Sequence, residues 1–286
     1  MENKIIGYYA IIPTYVNKSG RKKAFWWTDL IISKEYQGNG YQNIIDNYIT
    51  KRPEIKLGFP NKNASIIHKN HGWDIREDLK VMMFVIKPDS SSLFKNGRTI
   101  WSSILTLIMK PILIHKIKFK PKWSYKSQKI NIQELTNIYY LNRGYRLTTV
   151  RDEKYFFDRY IQSPFYENYN YYLCNKSNNI KLYLITRKIK TNRGIILRIV
   201  DLFGATGDRL ALKDLINLVI SDSIIDNVSQ ITILESNFRL QQLLFSCGFI
   251  IFNKARFCSY GGISGKIRKD DMVHWVLADS DNDFLD

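Results

Sequence analysis

Two distant stretches of this chain share one skeleton. Asn61-x-x-Ala64-x-x-x-His68-x-x-x-Gly72-Trp73 is matched, at identical spacing, by Asn237-x-x-Leu240-x-x-x-Leu244-x-x-x-Gly248-Phe249. Each stretch follows a short apolar run, KLGFP or ITILE, and precedes another. Further upstream, NKSGRKKAFWWTDLI parallels KTNRGIILRIVDLF, and each leads through a loop into a helix-patterned segment. Two matches in the same order predict a duplicated α/β domain.

The rest of the pattern fits that plan. KIIGYYAIIPTYV and RKKAFWWTDLIIS read as two strands of a hairpin around NKSG. A helix is expected from about Gln42 to Thr50, a strand at EIKLGFP, a helix at NASIIHKN ended by Gly72, and a strand at LKVMMFVIKP. In the second half, NYNYYLCN, IKLYLITRKI, RGIILRIVDLF, QITILES and FIIFNKARFCSY read as strands, and MVHWVLAD as a closing one. NIQELTNIYYLNRG, RLALKDLINLVISD and FRLQQLLFSC carry apolar positions at helical spacing. Between the copies, IWSSILTLIMKPILIHKIKF is apolar but interrupted by Lys110 and Pro111, so it reads as a linker helix rather than a membrane span. A membrane-surface helix with Lys116, Lys118 and Lys120 alongside ranks behind that.

Composition narrows the function. The formal net charge of +17 attracts phosphates, nucleic acid or anionic lipid, but basic residues recur along the chain and no nucleic-acid module is recognisable. The three cysteines form no CxxC pair and fit a reducing, cytoplasmic setting. The four histidines make no HExxH, and no metal site is expected. MENKIIGYYA has no apolar core ahead of a small-residue cleavage site, so a secretory leader is not expected. DSDND, Asp279 to Asp283, lacks the glycine and distal glutamate of a calcium loop and reads as a charged tail.

The copies diverge where chemistry is expected. The first has YQGNGYQN, Tyr36 to Asn43, between strand and helix; the second has ATGDRLALKD, with one glycine. Two glycines before a helix let the backbone approach a pyrophosphate, although they also make an ordinary turn.

These residues resemble the GNAT acyltransferase superfamily in a tandem arrangement. That family's acyl-CoA signature is Arg or Gln, two residues, Gly, one residue, then Gly or Ala. Gln37-Gly38-Asn39-Gly40-Tyr41-Gln42 follows it up to the last position, where Gln42 replaces a small residue. DLIISKEYQ resembles the family's central strand, and Asn61 to Trp73 its second CoA-facing helix, with His68 where a Tyr usually stands. RDEKYFFDRYIQSPFY and WVLADSD resemble a bacterial subset of tandem GNAT-like proteins linked to cell-envelope polysaccharide. Members of the family place a strand and two helices ahead of the strand IIGYYAIIP, near which this chain begins.

The resemblance implies two GNAT-like α/β domains with mixed, mostly antiparallel sheets flanked by helices: 1–90 with the acyl-CoA site, a 91–128 linker, and a degenerate 129–286 domain. It implies acetyl-CoA or another acyl-CoA as co-substrate, and a small molecule or sugar as acceptor. The backbone of Gln37, Gly38, Asn39, Gly40, Tyr41 and Gln42 would hold the pyrophosphate, and Asn61, at the start of the neighbouring CoA-facing helix, would join them in binding the cofactor. Leu30 and Ile32 would offer backbone N–H groups to the thioester carbonyl. Asp29, the carboxylate within the central strand, is the candidate base, and His68 the candidate acid. The alternatives are a Fem-type transferase using charged tRNA, which the positive charge would suit, and a non-catalytic relic of the fold.

Overall fold

The computed structural model describes residues 4–17, 20–94, 99–142, 147–177 and 180–261. The strand MVHWVLAD and the tail Asp279 to Asp283 lie outside the described residues. The first copy comprises β1 (Gly7–Asn17), β2 (Arg21–Ile32), α1 (Tyr41–Thr50), β3 (Ile55–Gly58), α2 (Lys62–Asn70) and β4 (Asp74–Val85). Then come α3 (Ile100–Ile117), β5 (Ser124–Ser127), α4 (Ile132–Leu141), β6 (Thr148–Thr149) and α5 (Glu153–Phe156). The second copy comprises β7 (Tyr169–Ser177), β8 (Ile180–Thr191), β9 (Gly194–Gly204), α6 (Arg209–Ile225), β10 (Gln230–Glu235), α7 (Phe238–Ser246) and β11 (Ile250–Tyr260).

These elements gather into two compact units that do not follow chain order. Among the described residues, unit 1 holds 4–79, 147–150 and 254–261; unit 2 holds 80–142 and 151–253. In unit 1 the strands run β11, β3, β2, β1, β6. β2 and β3 are parallel, joined by α1 as the crossover, and the other pairs are antiparallel. In unit 2 the order is β5, β7, β8, β9, β10, β4, with only β9 and β10 parallel and α6 crossing between them. Lys80–Val85, the end of the first copy's last strand, pairs with β10, and Cys258–Tyr260, the end of the second copy's last strand, pairs with β3. Each copy thus gives the end of its closing strand to the other copy's unit.

Sequence pattern explains the layering. Ala24 to Trp27 of β2 are all buried, a continuous apolar run that fills both faces of its sheet. Phe25 and Trp27 join Ile49, Trp73 and Cys258 in one core, while Trp26 stacks on Phe59 at 5.0 Å on the other face. Unit 2 has the larger core, with Leu184, Leu215, Ile231 and Phe249 among its members.

The linker segment departs from expectation. α3 runs unbroken through Lys110 and Pro111. Pro111 removes one backbone donor, but it lies on the exposed side with Leu107, whose carbonyl would otherwise accept that bond.

Candidate functional site

The repeated skeleton is a pair of matching helix ends. Asn61 caps α2, its Oδ1 accepting the Ala64 N–H at 2.9 Å; Asn237 caps α7, accepting the Arg239 and Leu240 N–H groups. At the other ends, the Trp73 N–H donates to the His68 carbonyl at 3.0 Å and the Phe249 N–H to the Leu244 carbonyl at 3.1 Å. Gly72 and Gly248 provide the positive φ these endings require. Asn61 therefore does the same structural task as Asn237, with its acceptor oxygen already engaged, and a ligand role is not needed to explain it.

The glycine turn is different in the two copies. Gly40 is the N-cap of α1 at φ 79°, with no side chain capping the helix and no acidic residue in its first turn. Gly38 is also left-handed, at φ 82°, and a Cβ at either glycine would meet nothing within 4 Å. The glycines thus serve backbone conformation beside open space. Among the described residues, the N–H groups of Gly38, Asn39, Gly40, Tyr41 and Gln42 have no protein acceptor. Five such groups at the positive end of a helix dipole form a seat for an anion. Gln37 is a correction to the expected set: its N–H donates to the Lys34 carbonyl at 3.3 Å. Its side-chain Nε2 donates to the Ile32 carbonyl at 2.9 Å and ties the turn to the end of β2.

In the second copy that seat is filled from within. Asp208 caps α6, its Oδ1 accepting the Leu210 N–H at 3.0 Å and the Ala211 N–H at 2.9 Å, while Lys176 donates to Oδ2 at 2.7 Å. Burial opposes ionisation of this carboxyl, but the helix N–H groups and the Lys176 ammonium hold it below its ordinary value.

β2 opens beside the turn. Its parallel pairing with β3 ends at Trp26↔Leu57, while its pairing with β1 continues to Ile32. A bulge opposite Tyr9 takes in Asp29 and Leu30, and Asp29 lies at φ 50° with its side chain exposed. The Ser33 N–H turns to the Ile6 carbonyl on the β1 side, so strand alternation aims the Ile32 N–H at the open edge, where its carbonyl meets Gln37. Unit 2 repeats the bulge at Val200, and Asp201 stands in VDLF where Asp29 stands in TDLI. There the carboxylate is fully buried: Arg151 Nε donates to both oxygens at 3.3 Å, and the Tyr160 and Tyr183 hydroxyls each donate to Oδ2 at 3.2 Å. Among the described residues no such cluster surrounds Asp29.

His68 is not a surface residue. Its side chain is 8% exposed, with Nδ1 3.1 Å from the buried Asp46 Oδ2. Trp73 Nε1 donates to the other oxygen at 3.0 Å, and the imidazole sits 4.9 Å from the Trp27 ring and 4.7 Å from the Trp73 ring. This places the candidate acid inside the core of unit 1. The same chemistry leaves Asp46, Trp27 and Trp73 as residues that sequence reasoning missed. Asp46 had a signal: it sits one turn from Ile49 and Gln42, on the inward period of α1, where an acid needs a buried donor. His71 Nε2 lies 3.3 Å from Asn43 Oδ1 and joins the end of α2 to the start of α1.

The chain has the mixed α/β layout, with mostly antiparallel sheet flanked by helices, of the GNAT-like acyltransferase fold. A GCN5-related N-acetyltransferase from Anabaena variabilis matches with a TM-score of 0.53 at 17% identity, over 88% of this chain and 58% of that one. Saccharomyces cerevisiae N-myristoyltransferase with bound myristoyl-CoA and inhibitors matches with a TM-score of 0.58 at 10% identity, over 97% of this chain and 71% of that one. A conserved protein of unknown function from Enterococcus faecalis matches with a TM-score of 0.54 at 13% identity, over 89% and 58%. The chain therefore spans under two thirds of the length of the Anabaena and Enterococcus proteins. Neither a family model nor a curated protein sequence matches it.

Proposed function

We propose that unit 1 binds an acyl-CoA through the backbone N–H groups of Gly38 to Gln42 and passes its acyl group to an amine or hydroxyl. The observation that carries this reading is the contrast between two equivalent helix starts. α6 is capped internally by Asp208, whereas α1 presents five unpaired N–H groups beside open space. A pyrophosphate matches these N–H groups in charge and in acceptor number.

The open edge of β2 suits the rest of such a ligand. The acceptor would attack the thioester carbonyl directly in a ternary complex, the C–S bond would break, and the CoA thiolate would leave. The Ile32 N–H, with that of Leu30, would face the developing oxyanion. Asp29, exposed at the bulge, is the residue we assign as base, directly or through one water. His68 is assigned to holding α1, α2 and β2 together, not to protonating the thiolate. An acetyl group and a small-molecule or sugar acceptor are the starting assignments. The bound myristoyl-CoA of the yeast neighbour makes acyl length the first variable to test.

Calorimetry with acetyl-CoA and with myristoyl-CoA is the direct test. Binding of either, abolished in Gly40→Asp with the circular dichroism unchanged, is the expected result. Absence of binding of both at millimolar ligand would remove the proposal.

A further inference from the structure

Helix α3 presents an apolar face outward. Among its residues only Ser102 is buried. At about 100° per residue, Trp101, Ile104, Leu107, Ile108, Ile112 and Ile114 fall within an arc of about 160°. Their exposures include 72% for Trp101, 72% for Leu107 and 58% for Ile108. The opposite side is anchored within unit 2: Met109 and Leu113 pack on its core, Lys116 Nζ donates to Asn217 Oδ1 at 2.5 Å, and Ser102 bonds Asp89. By length and composition the helix could cross a membrane, but this anchoring lays it along α6 instead.

The charge along its own stretch of sequence is one-sided, and the carboxylates packed beside that stretch are engaged, Asp89 by Ser102, Asp214 by the 122–124 backbone and Asp222 by Lys126. From residue 90 to residue 133 there are nine basic residues and no Asp or Glu. The positive charge is therefore denser here than its general spread along the chain suggests. Lys110, Lys118, Lys120 and Lys122 are exposed, and among the described residues none of the four has an ion pair. An apolar face with a tryptophan near one end and lysines at the other matches the chemistry of an anionic bilayer surface, with hydrocarbon beneath phosphate. A second copy of the chain fits less well, because it would bring the same cationic segment with no carboxylate to neutralise it.

We infer that α3 docks unit 2 onto an anionic membrane surface, its Trp101–Ile114 face seated among the acyl chains and Lys118, Lys120 and Lys122 against the lipid phosphates. This does not depend on the proposed acyl transfer.

The test uses the full chain with vesicles of phosphatidylcholine alone or mixed with phosphatidylglycerol. Co-sedimentation with the anionic vesicles only, weakening as salt rises, is expected. Trp101 emission should shift to the blue on binding, and Trp101→Phe should remove that shift. The pair Leu107→Glu and Ile108→Glu should lower partitioning by about tenfold or more, since a charge is driven into the interface. Lys118→Glu with Lys120→Glu should lower it and flatten the salt dependence. These side chains are exposed, so the native melting transition should be retained in each variant. No co-sedimentation of the wild type, equal binding to neutral vesicles, or unchanged binding of the glutamate pair would each overturn the inference. So would lipid-free self-association that Leu107→Glu abolishes, which would make the face a contact between copies.

Discussion

Asp46 is a carboxylate with no solvent contact, and both of its oxygens are engaged, one beside His68 and one by Trp73. Removing the imidazole leaves a cavity between two indoles and deprives one buried oxygen of its partner. His68→Ala is expected to lower stability by about 2–4 kcal/mol in urea unfolding. Acyl-CoA affinity in calorimetry should be little changed; a large loss of affinity at full stability would return His68 to the site. The three cysteines make a second test at this scale. All are buried, and burial raises each thiol above its ordinary value, that of Cys258 most of all. Native protein should therefore react slowly with a thiol reagent at pH 8, and promptly once unfolded in urea.

At the level of elements, the helix starts separate structure from ligand binding. Asn61→Ala and Asn237→Ala should each cost about 1 kcal/mol in thermal unfolding, the ordinary loss of an N-cap, and Asn61→Ala should still bind acyl-CoA. Asp208 adds a pH dependence. Its carboxyl titrates lower in the folded chain than when unfolded, so its contribution is complete above the ordinary carboxylate range. That contribution is lost as pH falls through the depressed folded value. Asp208→Asn keeps a capping side chain but not the charge that Lys176 faces. Its deficit in melting temperature against wild type should be present at neutral pH and shrink on acidification.

On the scale of the molecule, the exchange of closing strands ties the copies together through their own sheets. β3 has Cys258–Tyr260 as a neighbour, and β10 has Lys80–Val85. Residues 1–90 expressed alone would leave β3 with an open edge and should aggregate or lack a cooperative melt, as monitored by circular dichroism. Unit 2 has its own determinant in Arg151, which offsets the buried Asp201. Arg151→Met should destabilise by about 3–5 kcal/mol, because an unpaired carboxylate would remain in the core.

Reading the residues in order was enough to place the β1–β2 hairpin, the glycine turn and both glycine endings. Each depends on groups no more than a few positions apart. Hydrophobic period likewise located the helices and strands of the two copies, and their repetition implied duplication. Other features depend on groups far apart in sequence. Asp46 meets Trp73 across 27 positions and Arg151 meets Asp201 across 50, and neither pairing has a local signature. His68 looked like a titratable helix residue because burial is a property of what packs against it. Pro111 looked like a break because the exposed side on which it falls is set by how α3 lies on α6. The uncapped start of α1 is of both kinds. Its glycines are local, but the contrast that gives it meaning came from Asp208, which caps the matching helix in the other copy.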